Sequence, residues 1–501
     1  MEIHTYSSDP AATPKLVYIR DTLGRIKTVT RAGILHATYT YDPTTLRLVT
    51  ENLNQDTAAA RTLNRYYDAL GRPLSIKVGT EYTTAIGFDI AGRLNCVWDH
   101  PALDGNQAPI GAAAFNYGYQ GSSYTLVSSV TGPAHTVTNH WESARDVLLS
   151  KTNSPANPAQ SVVSSFNYDI PDAANSNAPS GLGANSIGQR KSLVATGSAF
   201  TAYPAWSWGY DLSGELTSAA NATTPDNSRF YQFDDIGNRK LSRTATNTNS
   251  GGAVTSYYAS TAATTTGANA INQYGKIAFP GGDAVPAFDA DGNMKSGPVL
   301  PRGATTPVSR VFVWDAENRL VEVMNAAGDT TIATYIYDHL SRRIGKTTAS
   351  AAPQGISDTT YLYDGWNLIA EYSGATIKKT YVYGMDLSGS MQGAGGVGGL
   401  LSVTDEVTSG HPSYYPTYDG NGNVSEYLDG GGNVVAHYEY DPFGKDITPA
   451  PPVGVTYINF AHRFSTKYFD AETGLYYYGY RYYDPLRKIN QIHLIFCIYF
   501  F

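Results

Sequence analysis

The chain has 501 residues, a formal net charge of −8 and 16% charged residues, against about 25% in an average soluble domain. The length exceeds what one hydrophobic core usually holds, and the acidic balance excludes a general nucleic-acid binder, which carries a basic face. The two cysteines, Cys96 and Cys497, form no Cys-x-x-Cys pair, so neither a zinc site nor a disulfide framework is expected.

At the N-terminus no basic segment precedes an apolar run, so residues 1–21 do not read as a secretory signal. No stretch approaches the roughly 18 apolar residues of a spanning helix. From there a repeat takes over. Its core is aromatic–Asp, two or three residues, Gly, then Arg or Asn, then an apolar residue. Tyr67, Asp68, Gly71 and Arg72 show it, as do Phe88, Asp89, Gly92 and Arg93. The pattern blurs between about residues 99 and 205, where 154–160 and 171–183 read as long loops. It returns at Tyr210-Asp211 and Phe233-Asp234. Residues 245–267 are a Thr/Ser/Ala-rich excursion. Later copies are Phe288-Asp289, Trp314-Asp315, Tyr337-Asp338 with Arg342, Tyr363-Asp364, Tyr418-Asp419, and Tyr440-Asp441 with Gly444.

The aspartates recur at 21 residues from Asp68 to Asp89 and at 23 from Asp315 to Asp338. That period fits one β-hairpin of two strands and two turns. Alternation as in Tyr335-Ile336-Tyr337 places two tyrosines on one strand face. Asp ends the strand by accepting turn N–H groups, and Gly or Asn supplies the positive φ. Tyrosines of adjacent hairpins are expected to stack as an aromatic ladder. A lone hairpin is marginal, so hairpins must pair edge to edge into a twisted antiparallel sheet. The fold class is therefore all-β: an antiparallel hairpin array coiling into a β-shell, complete or not.

Near the C-terminus stand Tyr438-Glu439-Tyr440-Asp441-Pro442-Phe443-Gly444, then Phe469-Asp470-Ala471-Glu472-Thr473-Gly474-Leu475-Tyr476-Tyr477-Tyr478-Gly479, then Arg481-Tyr482-Tyr483-Asp484-Pro485. This wording resembles the RHS repeat-associated core, and residues from about 18 to 485 resemble the YD repeats of RHS proteins, of the C component of Tc toxins and of teneurins. The resemblance implies a hollow β-cage, secreted or at the cell surface in the intact protein, that encloses a toxin segment of its own or a neighbouring chain as cargo. It also implies a Gly-Arg-Phe and Asp-Pro segment after the core, with aspartates for self-cleavage. The sequence departs there: after Pro485 comes an apolar tail, residues 486–501. The expectation is a shell over residues 1–485, its core at about 405–485, followed by an aberrant tail without a toxin domain. The chain reads as a fragment lacking plug, cleavage segment and cargo.

Candidate sites reduce to structure on this reading. No acidic residue follows Asp484, so self-cleavage has no second carboxylate and no enzyme is expected. Gly393–Gly399 lacks the Lys-Ser/Thr of a phosphate loop. The sequences from Asp289 and from Asp419 start like calcium loops but have Leu300 and Gly430 where a bidentate Glu belongs. No catalytic residue, cofactor or metal is expected. The positions that matter are the repeat's own: those named above with Gly474, Tyr477, Arg481, Tyr483 and Asp484. The alternative function is a cell-surface adhesion module binding glycan or protein, with Trp206 and Trp208 offering stacking faces.

Overall fold

The computed structural model describes residues 2–5, 13–121, 125–142, 146–168, 189–244, 253–258, 267–280, 282–304, 306–353, 355–486 and the backbone of 489–490. The loop expected at 171–183, Cys497 and the apolar tail from 492 lie outside these residues. Within them, every regular element longer than three residues is a β-strand. Strands pair antiparallel with their sequence neighbours in sheets of 22, 13 and four strands, and neither large sheet closes into a barrel. This is the all-β hairpin array that the repeat dictates.

Two compact units are present, each discontinuous in sequence. The first comprises Met1–Pro133, Val313–Met324 and Thr330–Tyr415. Its first run of strands extends from Leu16–Arg20 to Val127–Thr131, and its second from Leu320–Met324 to Leu400–Asp405. The two runs are bonded to each other at a nearly constant offset. Asn54 Nδ2 donates to the Tyr361 carbonyl at 3.0 Å, 307 residues away. Arg65 Nη2 meets Asp364 Oδ1 at 2.6 Å across 299 residues. Tyr82 Oη reaches the Tyr381 carbonyl at 3.0 Å, again across 299. Ser402 Oγ donates to Asp99 Oδ2 at 2.7 Å across 303. The two runs therefore advance in step, hairpin against hairpin.

The second unit comprises Ala134–Phe312, Asn325–Asp329 and Pro416–Phe501. Here the Asn153 amide meets the Tyr418 carbonyl at 3.2 Å across 265 residues. Tyr168 Oη takes the Gly420 N–H across 252, and Arg229 meets Asp441 across 212. The shrinking offset means the earlier run spends more residues per hairpin. A four-stranded sheet formed by Tyr468–Asp470, Leu475–Tyr477, Tyr482–Asp484 and Ile489–Asn490 ends the described chain.

Strand is found both in a segment read as a loop, 154–160, and in the excursion at 245–267. Leu148–Pro155 extends into the first, held to His135–Trp141 by a full register of pairs. Val254–Tyr258 lies inside the Thr/Ser/Ala-rich excursion, where it pairs with Lys276–Phe279. Ser and Thr masked the pattern, yet in a sheet their hydroxyls bond across strands, as Thr152 and Ser165 do at 2.9 Å.

Candidate functional site

The Tyr–Asp turn is built the same way wherever the full motif stands. Asp68 Oδ1 accepts the N–H groups of Leu70 at 2.9 Å and Arg72 at 2.8 Å, and Oδ2 accepts Arg72 Nε at 2.7 Å. Asp89 holds Arg93 identically, at 2.9 Å and 2.7 Å. Asp338 holds Leu340 and Arg342 at 2.9, 2.9 and 2.7 Å. The turn needs positive φ at its fourth residue: Gly71 has φ +78° and Gly92 +81°, while Ser341 takes +61° in the turn that lacks glycine. A β-bulge precedes each turn, between Tyr66 and Tyr67, Gly87 and Phe88, and Ile336 and Tyr337.

The tyrosine and arginine then couple one hairpin to the next. Tyr67 Oη donates to the Leu48 carbonyl at 2.7 Å and Tyr337 to Leu320 at 2.7 Å. Tyr440 does so to Val424 at 2.9 Å, each reaching back to the strand opened by the preceding turn. Arginines reach forward: Arg72 lies 4.5 Å over the Phe88 ring, Arg93 4.2 Å over Tyr119 and Arg342 5.4 Å over Tyr363. Guanidinium groups thus join the rings of successive hairpins. A desolvated cation over a ring face is worth about 2 kcal/mol, and the guanidinium's planarity lets one residue pair with its Asp and stack at once. Where Asn replaces Arg, at Asn238 and Asn293, the amide keeps the bond to Asp234 and Asp289, at 2.9 and 3.0 Å.

The remaining motif residues fall in the second unit. Asp441 Oδ1 caps Phe443 and Lys445, and its Oδ2 takes Arg229 Nε at 3.3 Å from the facing run. Gly444 has φ +84° against the Phe464 ring. Tyr483 Oη anchors the core to this turn through the Phe443 carbonyl at 2.7 Å. Tyr477 packs on Tyr482 with ring centroids 5.4 Å apart. The Arg481 carbonyl receives the Tyr478 N–H at 2.8 Å. Asp484 begins another turn by capping Leu486 at 2.8 Å. Gly474, at φ +74°, has no room for a side chain: a Cβ there would meet the Leu300 carbonyl oxygen at 1.8 Å.

Asp364 departs from the pattern. Its strand enters a tight turn with Asp364 paired to Asn367, and its carboxylate goes to Arg65 instead. The glycine-rich run also has a role that sequence alone did not disclose. The N–H groups of Ala394 and Gly396 both donate to Asp386 Oδ2, at 2.7 and 3.0 Å. The loop's donors are filled by the chain's own carboxylate. The two calcium-like turns are equally self-satisfied, with Asn293 on Asp289 and Asn423 on Asp419.

A polar cluster that no motif announced is buried in the second unit. Glu426 is fully buried, and its Oε2 accepts hydroxyls from Ser164 at 2.7 Å, Ser425 at 2.8 Å and Thr417. Its Oε1 lies 3.1 Å from His437 Nδ1, and His437 Nε2 lies 3.2 Å from Glu439 Oε1. Burial opposes charge on His437, but the two carboxylates outweigh it and raise its pKa to about 9. Burial likewise pushes the Glu426 carboxyl up, and His437 with the hydroxyls carries it below its ordinary value. Beside the cluster is a cavity of about 100 Å³ walled by aromatic rings, with Glu439 on its surface.

Fold and turn chemistry define the class: an all-β hairpin repeat protein built on Tyr–Asp turns. The chain is homologous to the RHS/YD-repeat toxins. It is 28% identical over 276 residues to the tRNA3(Ser)-specific nuclease WapA of Bacillus spizizenii, covering 54% of this chain and 10% of that protein. It is 26% identical over 276 residues to the tRNA nuclease WapA of Bacillus subtilis, with the same coverage. The double-stranded DNA deaminase toxin A of Burkholderia cenocepacia is 26% identical over 215 residues, 41% of this chain and 15% of that protein. The chain thus spans about a tenth of the first relatives it matches. The crystal structure of TcdB2–TccC3 aligns with 96% of this chain and 27% of that one, at 12% identity and a TM-score of 0.48. No family model matches the chain.

Proposed function

We propose that this chain is wall: part of the encapsulating shell of an RHS-type toxin, taking up a polypeptide segment of its own or a neighbouring chain. On this reading residues 1–485 form the repeat wall, with the RHS-associated core from about 405, and the intact protein is exported. The wall does no chemistry itself. The observation that carries the reading is that the repeat turns its Asp, Tyr and Arg onto its own turns and neighbouring hairpins. Where the full motif stands, as at Asp68, the Asp is filled by its turn, and Tyr and Arg are taken up in joining successive hairpins. A lattice joined from hairpin to hairpin in this way suits extent and rigidity. Homology to toxins many times longer than this stretch accords with a scaffold serving activities held elsewhere.

The test is protection. A natively unfolded, protease-labile segment appended after Phe501 is expected to survive protease doses that digest the same segment on an unrelated folded carrier. Equal digestion rates on both carriers would sink the encapsulating role.

A further inference from the structure

We propose that His339 is an acid-sensitive clasp between the two runs of the first unit, fastening the Asp338 turn to the first run while neutral and loosening it once protonated. In the turns at Asp68, Asp89 and Asp315 the residue after the aspartate is apolar, as Ala69, Ile90 and Ala316; here it is a histidine. Its Nε2 lies 3.0 Å from Tyr39 Oη. Its ring stands edge-on to those of His36, Tyr39 and Tyr18, with centroids 5.6, 5.9 and 6.1 Å apart. The backbone is held at the same place: Tyr18 Oη donates to the His339 carbonyl at 3.4 Å, and Arg31 Nη1 to the Tyr337 carbonyl at 3.0 Å.

The surroundings make poor provision for a proton. His339 Nδ1 is buried without a hydrogen-bond partner among the described residues. The carboxylates that face the turn are answered already. Asp338 is held by Arg342 at 2.7 Å, and Glu317 by Arg319 at 2.5 Å. From the first run, Asp56 is held by Arg31 and His36 at 2.7 and 2.8 Å, and Glu51 by Arg65 at 2.5 Å. An imidazolium would bring a desolvated charge toward His36 and Arg342, with no acceptor for its Nδ1 proton. Burial, with positive charge at His36 and Arg342, outweighs Asp338 and lowers the pKa of His339 to about 4. The docked turn is therefore at full strength above the free-histidine value of roughly 6.5 and weakens as pH falls toward 4. Asp338 and Asp56 both sit below the ordinary carboxylate value, so they stay ionised while the clasp responds. The clasp rests on this geometry and not on the wall reading.

The experiment is hydrogen exchange of the full chain, read peptide by peptide at about pH 7 and about pH 5, with labelling times corrected for intrinsic rates. Peptides over residues 331–348 and 16–41 are expected to lose protection by at least about tenfold at the lower pH, as one histidine with its pKa lowered this far allows. His339→Gln keeps an acceptor for Tyr39, and His339→Phe keeps the ring. Each is checked for folding at neutral pH by circular dichroism, and either folded variant suffices. In both, protection of these peptides is expected to be the same at the two pH values. Protection that does not change with pH in the parent chain, a loss shared equally by the strands of the second unit, or a loss undiminished in the folded variants overturns the proposal.

Discussion

At a single Tyr–Asp turn, burial decides what the ion pair is worth. Asp338 and Arg342 keep only 2% and 4% of their side-chain surface exposed, whereas Asp89 and Arg93 keep about a fifth. Burial pushes the Asp338 carboxyl up, yet Arg342 and the turn N–H groups carry it below its ordinary value. Arg342→Met strands that buried charge and is expected to cost about 3–5 kcal/mol, read as a shift in the urea midpoint. Arg93→Met should barely move it. The sign with pH follows: stability from Asp338 is present above the unfolded carboxylate pKa and lost as pH falls through the depressed native value. In Arg342→Met that depression is gone, so the variant's deficit is largest near neutral pH and shrinks as pH falls. Gly474 is the other decisive residue. Gly474→Ala must strain a backbone at φ +74° and displace the Leu300 carbonyl, so a loss of about 2–3 kcal/mol is expected from the strain alone.

At the scale of the hairpin, the repeat's spacing disclosed where turns fall wherever the full motif stands, and alternation such as Tyr335-Ile336-Tyr337 marked the buried strand face. Asp68, Asp89 and Asp338 cap their turns as their residue types dictate, because those bonds are local and span at most four residues. Asp364 was illegible for the complementary reason: its partner, Arg65, is 299 residues away. The Glu426–His437 cluster was equally hidden. It joins Ser164 to residues 262 positions later, and no spacing rule spans that distance. Its behaviour is nevertheless testable. His437 has its pKa raised to about 9, so its contribution is complete below the unfolded value of roughly 6.5 and is lost as pH climbs through 9. His135 is opposite in sign: burial lowers its pKa to about 4, with Glu426 opposing the shift. Stability is lost as pH drops from roughly 6.5 toward 4. Unfolding curves across pH 4–9 are expected to flatten on the alkaline side in His437→Gln and on the acid side in His135→Gln. An unchanged slope in either variant would contradict the assignment.

At the scale of the whole chain, neighbour-to-neighbour pairing builds each run of strands, but facing runs meet only after some 200–300 residues of chain. Loop closure over such distances must precede its reward, and topologies dominated by remote contacts fold slowly. Refolding from denaturant, followed by tyrosine and tryptophan fluorescence, is expected to show a fast phase from hairpin formation and a dominant phase on the order of seconds or slower. A single fast phase would mean the facing runs contribute little to the folded state.

The constant offset in the first unit has a consequence for how such a chain can change length. A deletion of a few residues within a strand throws every later ring and guanidinium out of phase, but loss or gain of one whole hairpin restores the stacking at once. Even that step leaves a mismatch, since Asn54, Arg65, Tyr82 and Asp99 each meet a partner about 300 positions on. Growth of one run by a hairpin without the other displaces all later partners by a full period. Heredity can therefore lengthen this fabric only in whole stitches, cast on in both rows together.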